Sequence, residues 1–239
     1  GNGFYWVTTL DSERPHIAEV RRWGGTRVWE AAPGEHYHST TGELGGLWRN
    51  RGRTPQKMVG VGFTSQGGGR NRPYHRLEAS FDPRVDFIFD GIEADEPIGN
   101  FPALVLEHGA AGFEIDRADT ALGTPQHALL LATADGFSDR YQLAIEDQLV
   151  SSSNTGGSQN SLVRSDMVYF EGPCGGAVFS VSSISWCSCL SHNNRANNVS
   201  RITENVLRHF ASDNPTGGAH EEGKTKSLGS ESEVFRGGV

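Results

Sequence analysis

Glycine punctuates this chain more than any other residue does. It occurs 31 times in 239 residues, nearly twice the usual ~7%. It falls between short apolar runs, where the turns of a β-rich protein belong. Ile17 to Arg22 and Thr26 to Ala31 read as two strands joined through Trp23-Gly24-Gly25, a hairpin. Lys57 to Phe63 alternates weakly around Val59, Val61 and Phe63. Val85, Phe87 and Phe89 alternate with Asp86, Ile88 and Asp90 until Gly91 ends the run, which predicts a strand with one apolar face. His127 to Thr133 is almost continuously apolar and reads as a buried strand. Met167 to Glu171 and Ala177 to Trp186 predict a second hairpin around Pro173-Cys174-Gly175-Gly176.

Two helices interrupt this pattern. Ser138 is placed to cap one that runs to about Gln148, with Tyr141, Ile145 and Leu149 four apart. Asn198 is placed to cap the other, whose Val199, Ile202, Val206, Leu207 and Phe210 form one stripe. Residues 151–161 are rich in Ser, Asn and Gly and read as a loop. From Ser212 large apolar residues almost vanish, so 212–239 is expected to be a disordered tail behind a folded unit of 1–211.

The charge, 21 − 29 = −8, argues against nucleic acid or an anionic membrane as the main partner, because both demand clustered Lys and Arg. No run approaches the ~18 apolar residues of a membrane span. Three cysteines, two of them at 187 and 189, do not make a disulfide framework, so a reducing, cytoplasmic setting is expected. The chain opens on Gly1 with residues that already look structured, and no signal-peptide pattern precedes them. We therefore expect a fragment or a processed piece of something longer.

Three clusters carry candidate chemistry. Glu35-His36-Tyr37-His38, with Glu43 and Trp48 beyond it, offers two histidines at i and i+2 and carboxylates that suit a metal or a substrate; a polar loop after Pro33-Gly34 explains them equally. In Gly112-Phe113-Glu114-Ile115-Asp116-Arg117 the acids alternate with apolar residues. If Phe113 and Ile115 face the core, Glu114 and Asp116 share the other face, where a carboxylate suits a general base. The alternative is an exposed salt bridge to Arg117. Cys187, Cys189, His192, Asn193 and Asn194 sit between a predicted strand and a helix start. That is a common place for pocket residues and equally for helix caps, and Cys174 lies in a turn. No cysteine has the flanking pattern of a nucleophile elbow. Gly60-Val61-Gly62 and Gly67-Gly68-Gly69 lack the context of a phosphate loop.

The order of longer motifs is more specific. Gly-Asn-Gly-Phe-Tyr-Trp at 1–6, Gly-Thr-Arg-Val-Trp at 25–29 and Gly-Glu-Leu-Gly-Gly-Leu-Trp-Arg at 42–49 come first. Gly-Arg-Thr-Pro-Gln at 52–56, Gly-Phe-Glu-Ile-Asp-Arg at 112–117 and Ser-His-Asn with Asn-Asn-Val-Ser-Arg-Ile-Thr within 191–203 follow. Over about residues 1–211 this resembles the C-terminal part of the N,N-dimethylformamidase large (beta) subunit family. The resemblance implies an amide hydrolase that splits a substituted formamide into formate and an amine. It implies an α/β fold, a partial glutamine-amidotransferase-like (flavodoxin-like) layered domain with inserted antiparallel β-hairpins. It also implies a lectin-like β-sandwich elsewhere in the large subunit, a small-subunit partner, and an iron held by tyrosine and glutamate side chains upstream of the Gly-Asn-Gly-Phe-Tyr-Trp motif. No metal ligand is assigned within this chain. Glu114 matches an acidic residue near the family's reacting centre, and Asn2, Tyr5, His36, His38, His192 and Asn193 are candidates for substrate contact. Two rivals stand beside this reading: a non-catalytic module that docks another subunit, and a thiol enzyme using one of the three cysteines.

Overall fold

The computed structural model describes residues 54–104, 108–145, 148–149 and 156–212, and four strands before residue 54. Those four are β1 (Tyr5–Leu10), β2 (Ala18–Arg22), β3 (Val28–Ala32) and β4 (Glu35–His38). They form two separate antiparallel pairs, β1 with β2 and β3 with β4. The expected hairpin through Trp23-Gly24-Gly25 is thus corrected: each of its strands pairs with a different neighbour. Asn2 and the expected tail beyond Ser212 lie outside the described residues.

Helix α1 (Pro55–Val59) replaces the first half of the predicted 57–63 strand. Pro55 starts it, as proline's fixed φ favours, and Gly60 stops it at φ +79. A Cβ at Gly60 would stand 2.8 Å from Val168 Cγ2 and 2.9 Å from Phe170 Cε1, so both conformation and space demand glycine. Strand β5 (Gly62–Gly67) follows, then β6 (His75–Arg76).

Residues Pro83–Phe89 form a 3₁₀ helix, not the predicted strand. Asp82 accepts a hydrogen bond from the Arg84 N–H at 3.0 Å and Pro83 fixes the first turn. Val85, Ile88 and Phe89 are buried, a helical spacing; Ile88, which alternation had turned outward, is fully buried.

Strand β7 (Glu114–Arg117) leads to β8 (Leu129–Ala134), the expected buried strand. The predicted helix over 138–148 is instead β9 (Tyr141–Ile145) followed by β10 (Gln148–Leu149). Tyr141, Leu143 and Ile145 also alternate, and β9 completes the ladder on β5, which decides between the two periods. The second hairpin stands as β11 (Ser165–Glu171) and β12 (Ala177–Ser180), although Ser185–Cys189 is helix α2 and not strand. The long helix α3 (Asn198–Phe210) is capped one residue earlier than expected: Asn197 accepts from the Ser200 N–H at 2.9 Å.

These elements make two four-stranded sheets, ordered β10-β9-β5-β7 and β12-β11-β8-β6. Every pair among the described strands is antiparallel. The result is mixed helix and antiparallel sheet. A bridge from Ile115 to Ser183 ties β7 to the segment after β12. One core joins Ile115 of the first sheet to Leu131 and Met167 of the second, and Val199, Ile202 and Val206 of α3 close it. No helix among the described residues is long and apolar enough to cross a membrane.

Candidate functional site

The site grows from the approach to β7. Gly112 passes over Asn71 so closely that a Cβ there would collide with the Asn71 Oδ1 and stand 2.8 Å from the Tyr141 hydroxyl. Beneath it, the Tyr141 hydroxyl donates to Asn71 Oδ1 at 3.0 Å, and Asn71 Nδ2 donates to the Gly109 carbonyl at 3.2 Å and Ser185 Oγ at 3.0 Å. Ser183 Oγ accepts from the Gly112 N–H at 2.8 Å. This polar bed holds Phe113 at φ +72, a left-handed conformation that costs a bulky side chain of order 1–3 kcal/mol. Its N–H donates to the Tyr141 hydroxyl at 3.1 Å and its carbonyl accepts from the Gly67 N–H at 2.9 Å. Strain held this firmly clusters at functional sites.

Beyond Phe113 the strand alternates as expected. Ile115 is fully buried, Glu114 is exposed and Asp116 is half-buried. Glu114 and Asp116 therefore share the face away from the core. Register adds their neighbours. Glu114 lies opposite Gln66, and Gln66 lies opposite Gln142 of β9, so one row across three strands reads glutamate, glutamine, glutamine. Asp116 lies opposite Phe63 in the next row. Gln66 and Gln142 were missed in the sequence: one sat in a glycine-rich run, the other in a predicted helix, and only register puts them beside Glu114.

Burial is the main force on Asp116 and, against the pull of the chain's terminal amino group, pushes its carboxyl up to about 6, with repulsion from Glu114 the smallest contribution. A half-buried acid with a raised pKa on a polar face is a recognised mark of a functional site. Arg117 does not neutralise either acid. It is buried and pairs with Asp119 at 2.8 Å, so the expected salt-bridge alternative is corrected.

The other candidates lie elsewhere. The His192 ring stacks on Phe101 with centroids 4.2 Å apart, and its carbonyl accepts from Asn197 Nδ2 at 2.7 Å. Asn193, at φ +48, donates to the Ala196 carbonyl at 3.0 Å. These contacts shape the turn between α2 and α3, and none of them reaches β7. Tyr5 stands opposite Arg22 on β1; His36 and His38 stand opposite Glu30 and Val28 on β4. Their side chains are outside the described residues. Cys174 and Cys187 are exposed; Cys189 is buried, its thiol pushed up to about 11 by burial, which opposes thiolate chemistry there. No three His, Cys, Asp or Glu side chains among the described residues come together as metal ligands. A hollow of about 500 Å³ near the 171–173 turn is lined by Arg84, His127, Tyr169 and Phe170. Its Arg84 is paired to Asp82 at 2.7 Å and its His127 to the Glu171 carbonyl at 3.1 Å, and the carboxylate of Glu171, which also lines it, lies 3.5 Å from the Tyr169 hydroxyl.

Comparison with known proteins bears on this face. A family model described as N,N-dimethylformamidase beta subunit-like, C-terminal, matches residues 1–199. The chain is 42% identical over 214 residues to the N,N-dimethylformamidase beta subunit of Paracoccus aminophilus. It is 41% identical over 214 residues to the protein of the same name from Alcaligenes sp. Each match covers 90% of this chain but 28% of the relative, so the chain spans just over a quarter of the length of these curated relatives. The chain belongs to the N,N-dimethylformamidase beta subunit-like, C-terminal family.

Proposed function

We propose that this chain forms the carboxylate-bearing wall of a hydrolytic centre that cleaves substituted formamides to formate and an amine. The observation that carries this is the face of β7: Glu114 exposed, Asp116 half-buried beside it, and no cation paired to either among the described residues. Family membership supplies the reaction class. The names of the relatives, N,N-dimethylformamidase beta subunit, support the substrate class and a partner subunit.

In this reading Glu114 takes a proton from the attacking water while the new C–O bond forms at the formyl carbon. The same proton leaves with the amine nitrogen when the C–N bond breaks, so the step needs no oxidant or reductant. Gln66 and Gln142 border the acid as neutral hydrogen-bonding groups. Phe113 and Ile184, 45% and 50% exposed, offer apolar surface to the N-alkyl groups of a formamide. The iron that the resemblance implies does not fit the described residues, which bring no set of ligands together. We assign it to polypeptide outside them and route no step through it. The same holds for the glutamine-amidotransferase-like layer: the antiparallel sheets here are read as the hairpin insertions on it. Three unpaired cysteines support a cytoplasmic setting.

The test is the complete protein with its partner subunit, incubated with N,N-dimethylformamide. Formate and dimethylamine should appear in equal amounts. A folded, assembled protein that releases neither would overturn the reading and favour a docking module.

A further inference from the structure

Phe113 is held in a strained conformation without the burial that would offset it. It stands at φ +72 and is 45% exposed, so its ring gains little from the core. Its distinction is its place, directly before Glu114 on the chain. All four backbone polar groups of Gly112 and Phe113 are engaged. The Gly112 N–H donates to Ser183 Oγ at 2.8 Å, and the Ser183 hydroxyl donates to the Gly112 carbonyl at 2.8 Å. The Phe113 N–H donates to the Tyr141 hydroxyl at 3.1 Å, and the Phe113 carbonyl accepts from the Gly67 N–H at 2.9 Å.

Two glycines clear the way for the Tyr141 hydroxyl to reach this point. Tyr141 lies opposite Gly67 in the β5–β9 ladder, and β5 separates β9 from β7. A Cβ on Gly67 would stand 2.5 Å from the Tyr141 Cα and 2.8 Å from its Cγ, and a Cβ on Gly112 would stand 2.8 Å from the hydroxyl. Neither glycine has a positive φ, so space and not conformation calls for it. The direction of the hydrogen bonds follows. An N–H can only donate, so the hydroxyl accepts from Phe113 and gives its one proton to Asn71 Oδ1 at 3.0 Å. The Asn71 amide nitrogen is turned to the Gly109 carbonyl and Ser185 Oγ, which leaves its oxygen for the phenol. Tyr141 is fully buried, with its ring centroid 4.5 Å from that of Phe137.

We propose that Tyr141, with Ser183 as the second hold, is a positioning residue for the reaction: the two hydroxyls grip the peptides of Gly112 and Phe113 and so fix the point of β7 from which Glu114 projects. This rests on the reading of Glu114 as the base. Without the Tyr141 hydroxyl, the strained Phe113 loses a hold on its N–H and the segment relaxes. A general base must meet its water within hydrogen-bond reach, and a displacement of about 1 Å can cost on the order of 10²-fold in rate. Tyr141 is buried and acts only through this backbone.

The experiment measures formate release from N,N-dimethylformamide by the complete protein carrying Tyr141→Phe, which keeps the ring and removes the hydroxyl. Its kcat should fall about 10- to 100-fold while KM stays within about two-fold of the wild type. The double variant separates a merely structural role. In a Glu114→Gln protein the base is already gone, so adding Tyr141→Phe should lower kcat by less than about two-fold more. A wild-type kcat in Tyr141→Phe, a rise in KM in place of the fall in kcat, or a full second drop in the double variant overturns the proposal. Should Tyr141→Phe fail to fold, Ser183→Ala decides. It frees the Gly112 peptide at a partly exposed position. It must give the same fall in kcat, the same KM and the same lack of further effect on Glu114→Gln, and any other kinetic result overturns the proposal. Glu114→Gln alone separates this from the parent reading. If that variant turns over normally, Glu114 is not the base and the parent reading falls. If it is nearly inactive while Tyr141→Phe keeps the wild-type kcat, only the role of Tyr141 falls.

Discussion

Glutamine in place of Glu114, in the complete protein, should lower kcat for formate release by about 10²–10⁴-fold with KM nearly unchanged. That is roughly 3–5 kcal/mol of transition-state stabilisation, the range of a positioned general base. The substitution keeps size and hydrogen-bonding reach but cannot take up a proton. Glu114 is exposed on β7, and a surface substitution of this kind changes stability by no more than about 0.5 kcal/mol. Activity should therefore fall without a fall in melting temperature. A variant that loses both has lost its fold, and one that loses neither has no catalytic carboxylate at 114.

The largest effect on stability is expected at the buried ion pair of Arg164 and Asp166. The Asp166 side chain is fully buried in β11. Arg164 Nε donates to it at 3.0 Å, Thr133 Oγ1 of β8 at 2.8 Å and the Ala118 N–H, just past β7, at 3.0 Å. Arg164 also donates to the Ala118 carbonyl at 3.1 Å. One acid thus fastens three strands from both sheets. Arg164→Met keeps much of the stem but leaves that charge without its cation, which should cost about 3 kcal/mol or more. The pH dependence has a definite sign. Burial outweighs its partners and raises the carboxyl of Asp166 above the usual carboxylate value. A group raised on folding gives its stability below the unfolded value and loses it as pH climbs through the folded one. Without Arg164 the folded value rises further. The deficit of the variant should therefore be smaller near pH 4, toward which Asp166 takes up its proton, than at pH 8. Urea denaturation at the two pH values measures it, and an equal deficit at both would remove the buried charge from the explanation.

What the sequence discloses here depends on how many structures share one pattern. The apolar run from 127 to 133 has few alternatives to a buried strand, and β8 is there. The stripe Val199, Ile202, Val206 likewise has one good solution, α3. Tyr141 to Leu149 fits two periods, and the pairing partner that decides between them, β5, is 75 residues away in sequence, counted from Gln66 to Tyr141. The turn at Asp82-Pro83 outweighed the alternation of Val85, Phe87 and Phe89, because a cap and a fixed φ act locally and at once. The site divides in the same way. The alternation of Glu114 and Asp116 could be read from four residues. Their neighbours Gln66, Phe63 and Gln142 arrive through register, and the partner of Arg117 through the turn at Asp119. Register is not written in any local pattern.

Chemical rescue tests the central claim most directly. In the complete protein, Glu114→Ala should release formate from N,N-dimethylformamide at a rate orders of magnitude below the wild type, and added acetate, a free carboxylate, should restore part of it in proportion to its concentration. Wild-type turnover by Glu114→Ala without acetate would contradict the account.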